Sequence, residues 1–256
     1  MLEELFAGSL RDSESRKERI SQGELEKRIS DLASPIDVYA SLAPAPQIKL
    51  IAEIKRRSPS KGFLAEIPDA AAQARIYEEA GAHAISVLTE QHGFGGSLDD
   101  LAAARTAVQI PLLRKDFIST EYQILEARVA GADFVLLILA GLEDEIFSKL
   151  HKFAHSLGLG VLVETHSERE IRVAEDNGAK LVGVNTRDLK TFKTDIGLFE
   201  RLAGALPSTT IKVAESSVRT VSDVVDYRNA GADVVLVGEA LVTGDAKALI
   251  PEIISV

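Results

Sequence analysis

The strongest constraint on the fold is a pattern that occurs eight times: a short β-rich run followed by a stretch of helical periodicity. The strand candidates are Ile48 to Lys55, Ala84 to Thr89, Pro111 to Asp116, Phe134 to Leu139, Gly160 to Glu164, Leu181 to Asn185, Ile211 to Glu215 and Val234 to Val237. Helical patterns lie between them, near Ala70 to Glu79, Leu98 to Val108, Glu121 to Ala130, Glu143 to Leu157, Glu168 to Asn177, Ile196 to Ala205 and Val221 to Ala230, and a last one lies near Ala246 to Ile254. A punctuation recurs at Gly81, Gly131, Gly178 and Gly231, spaced about 50 residues apart, each followed by alanine just before a strand. Glycine at such a place fits a left-handed helix end. Alternation of this kind implies parallel strands, and eight units close naturally into an α/β (βα)8 barrel of the TIM type. The 256 residues suit one such domain. The competing fold is an open doubly wound sheet, but no Gly-x-Gly-x-x-Gly turn follows the first strand.

Residues 1–47 precede the first strand and read as a helical extension. Ser21 and Glu24 have capping-box spacing, and Gly23 to Leu32 is amphipathic. Pro35 interrupts, a short helical stretch spans Ile36 to Leu42, and Pro44 and Pro46 then break the chain. Such a segment is too small for a core of its own. We expect it to be a cover packed on the barrel, so that residues 1–256 form a single domain.

Hydrophobic residues, at 46%, suffice for a large core. The longest apolar stretch, Phe134 to Ala140, suits a buried strand and is far too short to span a membrane. Met1 to Leu10 carries Glu3 and Glu4 and lacks the basic region and apolar block of a secretory signal. The absence of cysteine excludes disulfides, thiolate metal sites and cysteine nucleophiles, and makes the cytoplasm the expected compartment. A net charge of −10 argues against wholesale nucleic-acid binding. A small anionic ligand remains compatible with it, because a local basic cluster dominates at short range.

Barrel chemistry collects at the C-terminal ends of the strands. The first run ends Ile51-Ala52-Glu53-Ile54-Lys55, where alternation places Glu53 and Lys55 on one face and Ile54 on the other. The third run puts Leu113, Lys115 and Phe117 on one face. The fifth ends in Glu164, the sixth in Asn185 with Arg187 beyond, the seventh in Glu215 followed by Ser216 and Ser217, and the eighth at Gly238 and Glu239. Each alone is an ordinary solvated strand end. Together they gather acids, lysines, an amide and a guanidinium at one mouth, where close charges shift one another's pKa. An ion-pair network holding the barrel top is the structural alternative. Among neighbouring cations in an apolar mouth, the lysine at 115 is expected to have a lowered pKa.

Loops after the last two strands of such barrels often bind phosphate. Here they are Ser216-Ser217 and Gly238-Glu239, with Ser58, Lys55 and Arg187 as further donors. Phe94-Gly95-Gly96 follows the second run and reads as either a lid or a plain loop. The histidines carry little signal: His151 and His155 are four apart on an outer helix and read as surface residues, and His83, His92 and His166 are scattered. No metal site is expected.

Several of these stretches match a known family. Ile51-Ala52-Glu53-Ile54-Lys55-Arg56 with Ser58-Pro59-Ser60-Lys61-Gly62, Leu113 to Phe117, Leu162 to Glu164, Asn185 to Leu189, Ala214 to Ser216, and Val237 to Glu239 resemble the indole-3-glycerol phosphate synthases of tryptophan biosynthesis. The resemblance covers nearly the whole chain, including a helical extension that in the family lies over the active-site side. It implies a lyase that closes the indole ring of 1-(2-carboxyphenylamino)-1-deoxyribulose 5-phosphate with loss of carbon dioxide and water, using no cofactor or metal. It further implies Lys115 as general acid, Glu164 as base in dehydration, and Glu53, Lys55 and Asn185 as positioning and polarising groups, with Lys55 a candidate acid for expelling water. Ser216 is placed beside the substrate with Glu215. Phosphate is assigned to Ser58, Arg187, Ser216-Ser217 and Gly238-Glu239, and the aromatic ring to Phe94, Phe117, Leu136 and Leu189.

One departure stands out: Ser217 occupies a position where the family usually has glycine. If its φ is positive, serine there carries strain of roughly 1 kcal/mol. The rival readings are an isomerase of phosphoribosyl-amines, a Schiff-base aldolase acting through Lys115, and a non-catalytic phosphate-binding barrel. The first favours Asp with Cys or Asp, and the first strand supplies Glu and Lys instead. No interface stripe is apparent, and a monomer is expected.

Overall fold

The computed structural model describes residues 2–187, 195 and 197–256. Eight parallel strands close on themselves: β1 Lys49–Ile54, β2 Ala84–Leu88, β3 Leu112–Lys115, β4 Phe134–Ile138, β5 Gly160–Thr165, β6 Leu181–Asn185, β7 Ile211–Glu215 and β8 Val234–Val237. Closure is made by β1, which pairs with β8 on one side (Ile51 beside Leu236) and β2 on the other (Glu53 beside Ser86). The open-sheet alternative is thereby excluded. All eight predicted strands are present, with ends within two residues of those read from the sequence.

Alternation along each strand divides the core in two. Ile51, Leu113, Leu136, Leu162, Val213 and Leu236 pack inside the barrel. Ile54, Ile85, Leu137, Val163, Val184 and Val235 face the surrounding helices. Polar side chains at the tops of the inward rows therefore converge on one opening, which is how the pleat positions the site. The helix ends behave as the punctuation implied: Gly81, Gly131, Gly178 and Gly231 have φ of 103°, 91°, 70° and 94°. Non-glycine residues rarely adopt these angles.

The N-terminal extension contains three helices that reach different faces. Helix α1 (Leu2–Lys17) lies over the C-terminal opening, where Leu2 and Phe6 join the interior cluster. Helix α2 (Gln22–Ile29), capped by Ser21, packs Leu25 against Tyr122 and Leu125 of the barrel helix Glu121–Val129. The short α3 (Val38–Ser41) closes the opposite end with Val38 and Leu42. The extension was expected over the active-site side; it also plugs the floor. Gly160 makes room for this plug, since a Cβ there would stand 2.3 Å from Val38 Cγ1.

Helix α1 is held by buried charge. Arg114 of β3 is fully buried and donates to Thr89 Oγ1 (3.1 Å), Asp116 Oδ2 (2.9 Å) and the Gln123 carbonyl (2.6 Å). Ser9 of α1 donates to the other Asp116 oxygen at 2.7 Å, and Arg16 of α1 forks onto Glu126 at 2.5 and 2.9 Å. Burial works against the Asp116 anion, but Arg114 and the hydroxyls of Thr89 and Ser9 outweigh it and hold the carboxyl below its ordinary range. The outward-facing Arg114, between the inward-facing Leu113 and Lys115, is thus a structural tie from the strand to the cover. Among the described residues no helix is long and apolar enough to cross a membrane.

Candidate active site

The strand ends open into a cavity of about 360 Å³, a size suited to a small phosphorylated molecule. Its lining includes every described residue singled out from the sequence: Glu53, Lys55, Ser58, Phe94, Lys115, Phe117, Leu136, Glu164, Asn185, Arg187, Glu215, Ser216, Ser217, Gly238 and Glu239. Leu189 lies outside the described residues.

At the centre is Lys115. Its ammonium is 2.6 Å from Glu215 Oε2 and 3.7 Å from Glu164 Oε2, so β3, β5 and β7 meet through one cation. Beside it Lys55 Nζ is 2.6 Å from Glu53 Oε1. Burial disfavours the Lys115 cation, but Glu215, Glu164 and Glu53 outweigh it and push its pKa above the ordinary lysine value. This corrects the expected lowering: the nearest charges are carboxylates, and the ammonium is held protonated. Glu215 moves the other way for an acid, up to about 7, through burial first and then the neighbouring Glu164 and Glu53, despite Lys115. The two shifts are consistent. Three carboxylates share two ammoniums, so the cation is over-compensated and one acid is disfavoured as an anion. Glu53 is favoured as an anion: burial raises its pKa, yet Lys55 and Lys115 bring it below the ordinary value.

Two glycines give the carboxylates room. A Cβ on Gly183 of β6 would stand 2.0 Å from Glu215 Oε1, and one on Gly238 would stand 2.5 Å from Glu53 Oε1 and 3.0 Å from Lys55 Nζ. Gly238 was singled out for its approach to phosphate; its side-chain hydrogen also clears the Glu53–Lys55 pair.

Asn185 connects Glu164 to the next loop. Its Nδ2 donates to Glu164 Oε1 at 3.1 Å, and its Oδ1 accepts from Ser216 Oγ at 2.8 Å and from the Arg187 backbone at 3.0 Å. Ser216 and Ser217 have φ of 73° and 67°, so serine does occupy the left-handed conformation where glycine would be free of strain. Ser217 Oγ is 3.2 Å from Thr186 Oγ1, a hydrogen bond that offsets part of that cost. Across the rim Arg187 Nη1 donates to Ser60 at 2.9 Å, and Lys61 pairs with Glu239 at the head of the short helix Glu239–Thr243.

The opposite wall is apolar. Phe94 and Phe117 have ring centroids 6.1 Å apart, and Phe6 of α1 meets Phe117 edge-on at 5.5 Å. The Phe94 loop is braced from below, because the buried Glu90 accepts the backbone N–H groups of His92, Gly93 and Phe94 at 2.7–2.9 Å.

Several participants escaped the sequence reading. Leu2 and Leu5 of α1 line the cavity, a consequence of docking that periodicity does not reveal. His151 was expected at the surface; it is buried against Phe147 and 3.3 Å from His155. His166 was set aside as scattered, yet its Nε2 lies 3.5 Å from Glu164 Oε1. The signal was present: alternation places Glu164 and His166 on one face.

A family model for indole-3-glycerol phosphate synthase matches residues 2–253. The chain belongs to the indole-3-glycerol phosphate synthase family. The indole-3-glycerol phosphate synthase of Leifsonia xyli is 53% identical over 252 residues, covering 98% of this chain and 97% of its own. Indole-3-glycerol phosphate synthase 1 of Streptomyces coelicolor is 49% identical over 256 residues, covering 100% of this chain and 95% of its own. Among solved structures, 3-hexulose-6-phosphate synthase from Salmonella typhimurium superposes with a TM-score of 0.65 at 17% identity, covering 81% of this chain and 97% of that one. That likeness concerns the barrel alone.

Proposed function

We propose that the cavity closes the indole ring of 1-(2-carboxyphenylamino)-1-deoxyribulose 5-phosphate, as membership of the family implies, with Lys115 as the acid and Glu164 as the base. The observation that carries this reading is the placement of Lys115 between Glu164 and Glu215 at the cavity centre. The apolar wall of Phe94, Phe117 and Leu136 suits the carboxyphenyl ring. Ser58, Arg187 and the loops at Ser216-Ser217 and Gly238-Glu239 suit the phosphate on the other side. A substrate lying across the mouth brings its sugar carbonyl to the acid–base centre.

The ring carbon that bears the carboxylate attacks the carbonyl carbon, and the carbonyl oxygen gains negative charge. Lys115 hands it a proton, forming a hydroxyl. A raised pKa suits this role, since the ammonium is loaded at neutral pH and the emerging alkoxide is the stronger base. Carbon dioxide then leaves, and its bonding pair returns to the ring. Loss of the hydroxyl as water, assisted by a proton from Lys55, and removal of a proton by Glu164 give the double bond that makes the already closed five-membered ring aromatic. Asn185 and Glu53 hold Glu164 and Lys55 in place. We place the enzyme in the cytoplasm as a monomer acting without cofactor.

The test is indole fluorescence on adding the substrate. Lys115→Ala is expected to abolish turnover while circular dichroism shows an intact fold. A variant that keeps most of its turnover overturns the acid assignment. Phosphate binding without turnover in the unmodified protein would favour the non-catalytic barrel, and borohydride trapping of substrate on Lys115 would favour the aldolase.

A further inference from the structure

Behind Glu164, and outside the cavity lining, stands an imidazole that the reaction as described does not use. Strand alternation puts His166 on the same face as Glu164, two residues further along. The intervening Thr165 is fully buried and donates its hydroxyl to the Gly183 carbonyl at 2.9 Å, which fixes the strand end. Ser167 then caps the helix Glu168–Asp176 by accepting from the Glu170 backbone, and the Glu170 side chain reaches back to accept the His166 backbone N–H at 2.7 Å. The capping geometry therefore delivers a second carboxylate to the imidazole. His166 Nε2 is 3.5 Å from Glu164 Oε1, and Nδ1 is 3.6 Å from Glu170 Oε2. Both ring nitrogens are shut off from solvent, and neither has a closer hydrogen-bond partner among the described residues.

We propose that His166 is a positioning residue for Glu164: bridging Glu164 and Glu170, the imidazole holds the Glu164 carboxylate turned with one oxygen toward Asn185 and the other toward Lys115. This rests on the reading of Glu164 as the base of dehydration. Contacts of 3.5 and 3.6 Å are longer than direct hydrogen bonds, and catalytic contacts of this kind tighten as the reacting complex forms.

Charge supports the assignment. The groups acting on the imidazole are Glu164 on β5, Glu170 on its own helix and Glu215 on β7, with Lys115 on the far side of Glu164. Burial disfavours the imidazolium, but these three carboxylates outweigh it and raise the His166 pKa above its ordinary value. When protonated, the imidazole places a positive charge beside Glu164, one of three rim acids that share two lysines.

The experiment compares His166→Ala and His166→Gln with the unmodified enzyme. Gln keeps a donor but no charge. The expected result is a fall in kcat for Ala on the order of tenfold with KM within about twofold, as is typical when a supporting group is lost. Gln should recover most of kcat at neutral pH, while the acid limb of its kcat profile moves to higher pH, because the cationic form of the side chain at 166 is no longer available. Both variants retaining kcat and the acid limb of the unmodified enzyme would overturn the proposal. Imidazole titration by NMR gives a readout that needs no active variant. The His166 signal, assigned by its loss in His166→Gln, should titrate above the ordinary histidine value and move down in Glu164→Gln. An unchanged titration in Glu164→Gln sinks the proposal, whereas turnover retained by Glu164→Gln sinks the base assignment on which it rests.

Discussion

Gly183 is the position where a single added methyl should separate folding from catalysis. Its ideal Cβ would stand 2.0 Å from Glu215 Oε1, where ordinary contact begins at 3.4 Å, so the carboxylate of a Gly183→Ala variant must retreat by about 1.4 Å. The same Cβ would be only 3.3 Å from Leu162 Cδ1, so the methyl has little freedom to turn aside. Glu215 Oε2 is 2.6 Å from Lys115 Nζ, and a displacement of that size breaks the contact or drags the ammonium away from Glu164. Misplacement of a reacting group by about 1 Å costs on the order of a hundredfold in rate, or about 3 kcal/mol. We expect kcat to fall by about that factor in a continuous fluorescence assay. Gly204→Ala, with nothing within 4 Å of the added carbon, is the matched control. If Gly183→Ala melts like the unmodified protein and keeps kcat within about threefold, the idea that Glu215 holds Lys115 in place is refuted.

Three other outcomes follow from the geometry. Arg114→Met removes the buried partner of Asp116 and Glu126, and should lower unfolding free energy by about 3–5 kcal/mol in urea titrations. The folded-state pKa of Glu215 is about 7 against 4.5 for an ordinary glutamate, so the folded state binds more protons between these values. Stability should therefore fall as pH rises through that window, and Glu215→Gln should flatten the dependence. Ser217→Gly relieves left-handed strain of roughly 1 kcal/mol but loses a hydrogen bond worth about as much, so calorimetry should find Tm nearly unchanged.

The barrel was legible because its signals are local. Strand runs, the capping residue Ser21 and the glycines closing the helices act within a few residues of chain. The rim was legible for a related reason: once strands are parallel, their last inward-facing residues must meet, and fifteen of the sixteen candidate residues do line one cavity, the other falling outside the described residues. What depends on docking was not legible. Leu2 and Leu5 reach the mouth only because Ser9 and Arg16 tie α1 to Asp116 and Glu126, residues more than a hundred positions away. The direction of the Lys115 shift was misjudged because it depends on which charge lies nearest in space. In sequence its neighbour is Arg114, which points away into the helix layer; in space its neighbour is Glu215. His166 was missed because a lone histidine past a strand end has many harmless explanations, and only the Glu170 cap makes it a bridge.

The measurement that tests the account most directly is a crystal structure with indole-3-glycerol phosphate bound. The account predicts the phosphate at the Ser216-Ser217 and Gly238-Glu239 loops, the indole against Phe94 and Phe117, and both Lys115 Nζ and the Glu164 carboxylate within contact of the newly closed ring. A product lying in the reverse direction, or held outside the rim with Lys115 still locked between its acids, would contradict it.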